Sequence, residues 1–197
     1  LMMGKTDSVS ITEIYRNDFC AFYPISAGLI PLRNGSAEWG DYNNDGNIDI
    51  LLTGYSDILS SAVSKIYINN GNGTFSDINA GIENVYSGSA AWGDYDNDGD
   101  LDILLTGSTG TMTGISKIYR NDSGSFTDIN AGLTGVNNSS GAWGDYDNDG
   151  DLDIIITGVA EITGKVSIIY RNDSGVCTDI NAGLIGVENG SAAWGDY

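Results

Sequence analysis

The stretch "DYDNDGDLD" places aspartates at 94, 96, 98, 100 and 102, five carboxylates within nine residues. A pair of unit charges ~4 Å apart costs about 1 kcal/mol in bulk water and several times that near a protein surface, so such a loop calls for a neutralising charge. The chemistry it suits is coordination of a hard cation by oxygen. Calcium takes about six to eight oxygens at roughly 2.3–2.6 Å in a flexible geometry. The pattern D-x-[DN]-x-D-G-x-x-D occurs as "DYNNDGNID" from Asp41, "DYDNDGDLD" from Asp94 and "DYDNDGDLD" from Asp145. Its first, third and fifth positions offer side chains that converge on one point: Asp41, Asn43 and Asp45; Asp94, Asp96 and Asp98; Asp145, Asp147 and Asp149. Glycine at position six permits the sharp turn. Position seven (Asn47, Asp100, Asp151) offers a backbone carbonyl, and Asp49, Asp102 and Asp153 at position nine close the shell.

The expectation is about three Ca2+ sites, the first weakened because Asn43 and Asn47 replace two aspartates there. The opening of each loop matches an EF-hand. Position twelve, where that loop needs a bidentate Glu, holds Leu52, Leu105 and Ile156 instead. Magnesium demands stricter octahedral geometry and keeps its waters, so it fits less well. The competing reading is a hairpin turn with solvated aspartates, Asp-Gly being a strong hairpin signal; three copies in register favour the cation. Sites of the weak extracellular class, at one to ten times their dissociation constant, would add roughly 0.4–1.4 kcal/mol each.

A repeating frame must hold these loops. Trp39, Trp92, Trp143 and Trp194 stand 53, 51 and 51 residues apart, and Tyr15, Tyr67, Tyr119 and Tyr170 stand 52, 52 and 51 apart. "FSDINAGI", "FTDINAGL" and "CTDINAGL" recur in step, with "FYPISAGL" a divergent first copy. One unit, from Ser89 to Leu133, predicts four short strands: "SAAWGDY", then "LDILLTG" across the acidic loop, then "SKIYRND", then "SFTDINAGL" after an Asp-Ser-Gly turn. Leu101, Ile103, Leu104 and Leu105 leave the second strand almost wholly apolar, as in a strand covered on both faces. The outermost strand is more polar. Four-stranded antiparallel units of about fifty residues repeating radially describe the blades of a β-propeller, with Trp and Tyr filling the wedge between blades. A β-solenoid of stacked hairpins is the competing fold, but its coils usually have shorter periods.

The expected architecture is therefore all-β, a single β-propeller or partial propeller over 1–197 with repeat units near 1–50, 51–103, 104–154 and 155–197. "LMMG" aligns with "LLTG", so the chain opens at a second strand, and it closes on a first, "AWGDY". About four units are few for a ring. The expectation is part of a longer propeller, or self-association with another copy to complete it.

Composition agrees. Twenty-eight glycines against two prolines, with abundant Asn, Asp and Ser, suit short strands joined by tight turns. A net charge of −19, from 27 acidic and 8 basic residues, repels phosphates and excludes nucleic acid as a partner. No apolar run approaches the ~20 residues of a membrane span. The opening "LMMGKTDSVS" lacks the apolar stretch of a signal peptide, so any export signal is expected outside it. With no histidine, His-based triads and His metal sites are excluded. Cys177 falls where other units carry Phe22, Phe75 and Phe126 and reads as a small core residue; Cys20 aligns with the turn glycine Gly124. A bridge between them has little support.

Through "GSAAWGDYDNDGDLDILLTG" and "KIYRNDSGSFTDINAGL" the chain resembles FG-GAP or VCBS repeats, the calcium-binding blades of integrin-alpha-like β-propellers. The resemblance implies a ring of about seven blades, calcium held at the positions above with Asp100 and Asp151 acting through their carbonyls, and a secreted or surface-displayed protein used in adhesion or carbohydrate binding. The expected function is a non-enzymatic, extracellular, calcium-stabilised module for a protein or glycan ligand. Specificity is expected in the irregular segments 56–64, 108–116 and 159–167, which differ between similar units. Two alternatives stay open: part of a secreted polysaccharide-active enzyme, and an assembly scaffold. A catalytic group would have to break the repeat pattern; Glu13, Glu83, Glu161 and Glu188 are unpaired in sequence and read as solvated surface residues.

Overall fold

Short apolar runs bounded by Asn, Asp and Gly fold as fifteen strands in a computed structural model that describes residues 1–110 and 113–195. Every ladder between them is antiparallel, and no helix occurs among the described residues. The all-β expectation holds. β1 (Met2–Lys5), β2 (Ser10–Asp18) and β3 (Ala21–Ile25) form a three-stranded sheet, and β4 (Ala37–Gly40), β5 (Asp49–Ser56), β6 (Ser61–Asn69) and β7 (Phe75–Asp77) a four-stranded one. β8 (Ala90–Gly93), β9 (Asp102–Ser108), β10 (Gly114–Asp122) and β11 (Ser125–Asp128) make the third unit; β12 (Val136–Gly144), β13 (Asp153–Ala160), β14 (Gly164–Asp173) and β15 (Val176–Asp179) make the fourth. A single pair, Ile115 with Val136, joins these last two into one eight-stranded sheet.

The second strand of each unit is covered on both faces because alternate side chains point to opposite sides. On β5, Ile50 and Leu52 enter a cluster with Ile14, Leu32 and Val63, while Leu51 enters another with Ile103, Leu105 and Val85. On β9, Leu104 turns the other way and meets Ile154 and Ile156. The core is thus three layers, each between consecutive units.

The Trp-Gly-Asp-Tyr motif accounts for the fit between units. A Cβ on Gly93 would lie 2.6 Å from Cδ1 of Trp143, and Gly40 and Gly144 make the same close approach to Trp92 and Trp194. The tyrosine two residues on completes the seat. Tyr42 stacks on Trp92 with centroids 6.2 Å apart and planes at 9°; Tyr95 with Trp143 and Tyr146 with Trp194 repeat the arrangement. The indole N–H groups of Trp143 and Trp194 donate to the carbonyls of Ala91 and Ala142 in the preceding unit, each at 3.3 Å.

Two-residue hairpins join β10 to β11 and β14 to β15 through Ser-Gly pairs with both φ angles positive, as a type I′ turn requires. The same turn in the first unit is Phe19-Cys20, with φ of 50° and 72°. Cys20 stands in a glycine's place, exposed; Cys177 is partly buried against the layer containing Ile154, and both thiols are free.

Candidate metal centres

Each acidic loop runs from the end of a unit's first strand to the start of its second. Asp41, Asp94 and Asp145 at position one fold the loop back on itself. Asp94 accepts the N–H of Asp98 on one oxygen and that of Gly99 on the other, both at 3.0 Å; Asp41 and Asp145 do the same for Asp45 with Gly46 and for Asp149 with Gly150. Position nine lies at the root of the loop. Asp49, Asp102 and Asp153 are fully buried, and each accepts two backbone N–H groups. For Asp102 the donors are Tyr95 at 3.0 Å and Asn121 at 2.7 Å, which pin the loop to the third strand.

Oxygens of Asp94, Asp96 and Asp102 come within 4.8 Å of one another in the second loop, and those of Asp145, Asp147 and Asp149 do so in the third. Asp98 and Asp153 stand outside these two groups, Asp98 taking the N–H of Asp100 at 2.9 Å. Oδ1 of Asp96 is buried with no hydrogen-bond partner. A buried carboxylate oxygen facing two other carboxylates is costly without a counter-charge. Burial, and then the charges of Asp98 and Asp94, raise the Asp96 pKa against a partial offset from the Asp98 N–H and Arg120; burial and the charges of Asp149, Asp153 and Asp145 raise that of Asp147 against a partial offset from Arg171. At Asp102 burial, only partly offset by its two N–H donors, lifts the pKa to about 7.

The first loop is quieter. Asn43 and Asp45 bond to each other, and Asp45 takes both the backbone and side-chain N–H of Asn47. The Asn47 backbone N–H is the main reason the Asp45 pKa is lowered. Two amides thus stand where the other loops carry carboxylates, which Arg120 and Arg171 offset only in part.

At position seven the side chains of Asp100 and Asp151 turn outward, their Oδ2 atoms accepting the N–H of Ser123 at 2.9 Å and Ser174 at 2.7 Å. Sequence reasoning missed Asn121 and Asn172, both fully buried. Asn121 Nδ2 donates to the carbonyls of Tyr42 (2.8 Å) and Leu101 (3.0 Å), so it ties the root of its own loop to the preceding one; Asn172 repeats this with Tyr95 and Leu152. The available signal was their recurrence, with Asn17 and Asn69, at one place in "YRND" and "YINN". Burial differs among the copies, Asn17 being exposed and Asn69 half-buried, and only where the amide is buried does it need partners.

Fold and loops together define a class, an all-β repeat protein whose antiparallel units carry an aspartate-rich loop between first and second strands. The FG-GAP-like repeat model matches residues 41–105 and again 94–156, and the chain belongs to that family. Each match runs from the first aspartate of one loop to the twelfth position of the next. No curated protein matches the chain.

Proposed function

We propose that the units are blades of an extracellular β-propeller, non-enzymatic, in which calcium is a structural cation and the irregular hairpin loops meet a protein or glycan ligand. The observation that carries the reading is the unpartnered Oδ1 of Asp96, buried beside Asp94 and Asp102. Carboxylate oxygens on a flexible loop are the donor set of a hard cation, and the loop fits calcium better than it fits solvent. Asp94, Asp96, Asp98, Asp102 and the Asp100 carbonyl would hold it in the second loop, and Asp145, Asp147, Asp149, Asp153 and the Asp151 carbonyl in the third. The first loop, with Asp41, Asn43, Asp45, Asp49 and the Asn47 carbonyl, is the weaker site. Calcium would add to the partial charge offset that Arg120 and Arg171 give these carboxylates, and would cross-link the first strand of a unit to its second. Weak sites of this kind fill where calcium is millimolar, outside the cell.

The ligand reading draws on the connections β5–β6, β9–β10 and β13–β14, where the three irregular segments lie. A cleft of about 640 Å³ between the last two of these is lined by Tyr86, Gly110, Val159, Ala160, Glu161 and Gly164. Thr111 and Met112 of the middle segment lie outside the described residues. Ile58 and Ile162 at the neighbouring tips are 73% and 95% exposed. Binding rather than catalysis is favoured at three of the chain's five glutamates, because each of these already has a side-chain partner. Glu83 and Glu188 face Lys117 and Lys165, and Glu13 accepts the Tyr15 hydroxyl.

The experiment is a thermal melt in EDTA, then in a calcium series with magnesium in parallel. A midpoint that climbs with calcium and ignores magnesium supports structural calcium and justifies a glycan screen on the loaded protein. No response to calcium would reduce the loops to solvated turns and remove the argument for an extracellular role.

A further inference from the structure

The acidic loops touch one another in a fixed pattern. Position four is asparagine in all three, Asn44, Asn97 and Asn148, each with φ near the left-handed region at 57°, 60° and 61°. That conformation swings the side chain out of its own loop. Asn44 Nδ2 donates to the Gly99 carbonyl at 3.2 Å and to Asp100 Oδ1 at 2.9 Å; Asn97 Nδ2 donates to the Gly150 carbonyl at 3.3 Å and to Asp151 Oδ1 at 2.9 Å. Each bond ends on positions six and seven of the next loop, beside the carbonyl proposed as a ligand. The buried Asn121 and Asn172 supply a second tie at the loop roots, from the carbonyl at position two of one loop to the position-nine aspartate of the next.

We propose that the three loops fill with calcium cooperatively, with Asn44 and Asn97 as positioning residues that pass order from each loop to the one after it. This rests on the reading of the loops as calcium sites. A cation in the second loop fixes Asp96 and Asp98, the residues on either side of Asn97. Asn97 then holds Asp151 in place, so the third loop loses less conformational freedom when it binds. Repulsion between bound cations does not cancel this, because the second and third loops each set five carboxylates against two positive charges.

The test is a calcium titration of the full chain followed by residue-resolved NMR, reading the amides of Gly99 and Gly150 as reporters of the second and third loops. Asp96→Ala disables the second loop. It is expected to move the Gly150 midpoint to at least about fivefold higher calcium in the otherwise wild-type chain, and by less than about twofold when Asn97→Gly is also present. Glycine keeps the left-handed backbone at position 97 and removes only the reaching side chain. If Asp96→Ala does not fold, Asn97→Gly alone decides: the wild-type chain should titrate with a Hill coefficient above one and the variant with a lower one. A Gly150 midpoint indifferent to Asp96→Ala, or a wild-type Hill coefficient of one, overturns the coupling and leaves the calcium reading standing. No saturable response at either glycine overturns both.

Discussion

At the scale of single residues, Asp102 is a buried acid held at the root of a charged loop, and its titration has a definite sign. Without a cation its pKa stands at about 7, whereas in the unfolded chain an aspartate titrates near about 3.9. Between those values the folded state binds more protons than the unfolded one, so stability rises as pH falls through that window and is lost as pH rises through about 7. In EDTA the melting temperature is therefore expected to be higher at about pH 5.5 than at about pH 7.5, with Asp102→Asn flattening the difference. Equal slopes for variant and wild type would contradict this. Asn172→Ala addresses a different kind of residue, a buried amide rather than a charge. It strands the carbonyls of Tyr95 and Leu152 and the N–H of Gly175, and about 2–4 kcal/mol of unfolding free energy should be lost in urea titrations. The aspartates were legible from their spacing because alternation and the following glycine are local signals. Asn97 and Asn172 were not, since the partners that tie them to a neighbouring loop lie 53 to 77 residues away.

Among elements, the second strands are the most readable part of the molecule. A run such as "DILLTGS" is buried throughout, and its apolar side chains divide between the layers on its two faces. β12 is the opposite case. "VNNSSGAWG" shows no apolar period, yet it forms a strand of nine residues, more than twice the length of β4 or β8. Its extension comes from lateral contact, the Ile115–Val136 pair and a register shift between Asn137 and Ser140 that lets the strand continue alongside β13. The glycine of the Trp-Gly-Asp-Tyr motif gives the sharpest prediction at this scale. Gly93→Ala drives a methyl group into the Trp143 indole, and is expected to cost about 1–3 kcal/mol and change tryptophan emission. A variant as stable as wild type, with unchanged emission, would mean the interface slides apart more easily than its packing suggests.

For the molecule as a whole, charge is the governing quantity. Twenty-seven acidic residues against eight basic ones make the chain repel itself, most strongly where the loops sit side by side. Raising salt from about 0.1 to 1 M shrinks the Debye length from about 10 to about 3 Å. The melting temperature in EDTA should therefore climb with sodium chloride, and on the proposed calcium reading it should climb less when calcium is present. An identical salt response in both conditions would show that the loops do not carry the strain. Whole-molecule closure was the least legible property, because a period repeats without stating how often.

The seat that Gly93 and Tyr95 offer to Trp143 has the same chemistry as the one Gly144 and Tyr146 offer to Trp194. Excising residues 94–144 would join Gly93 directly to Asp145 and restore "WGDYDNDGDLD" without a seam. A chain one unit shorter is thus expected to close on a junction of the same make, Gly93 and Tyr146 seating Trp194, so that unit number and interface fit are separable properties.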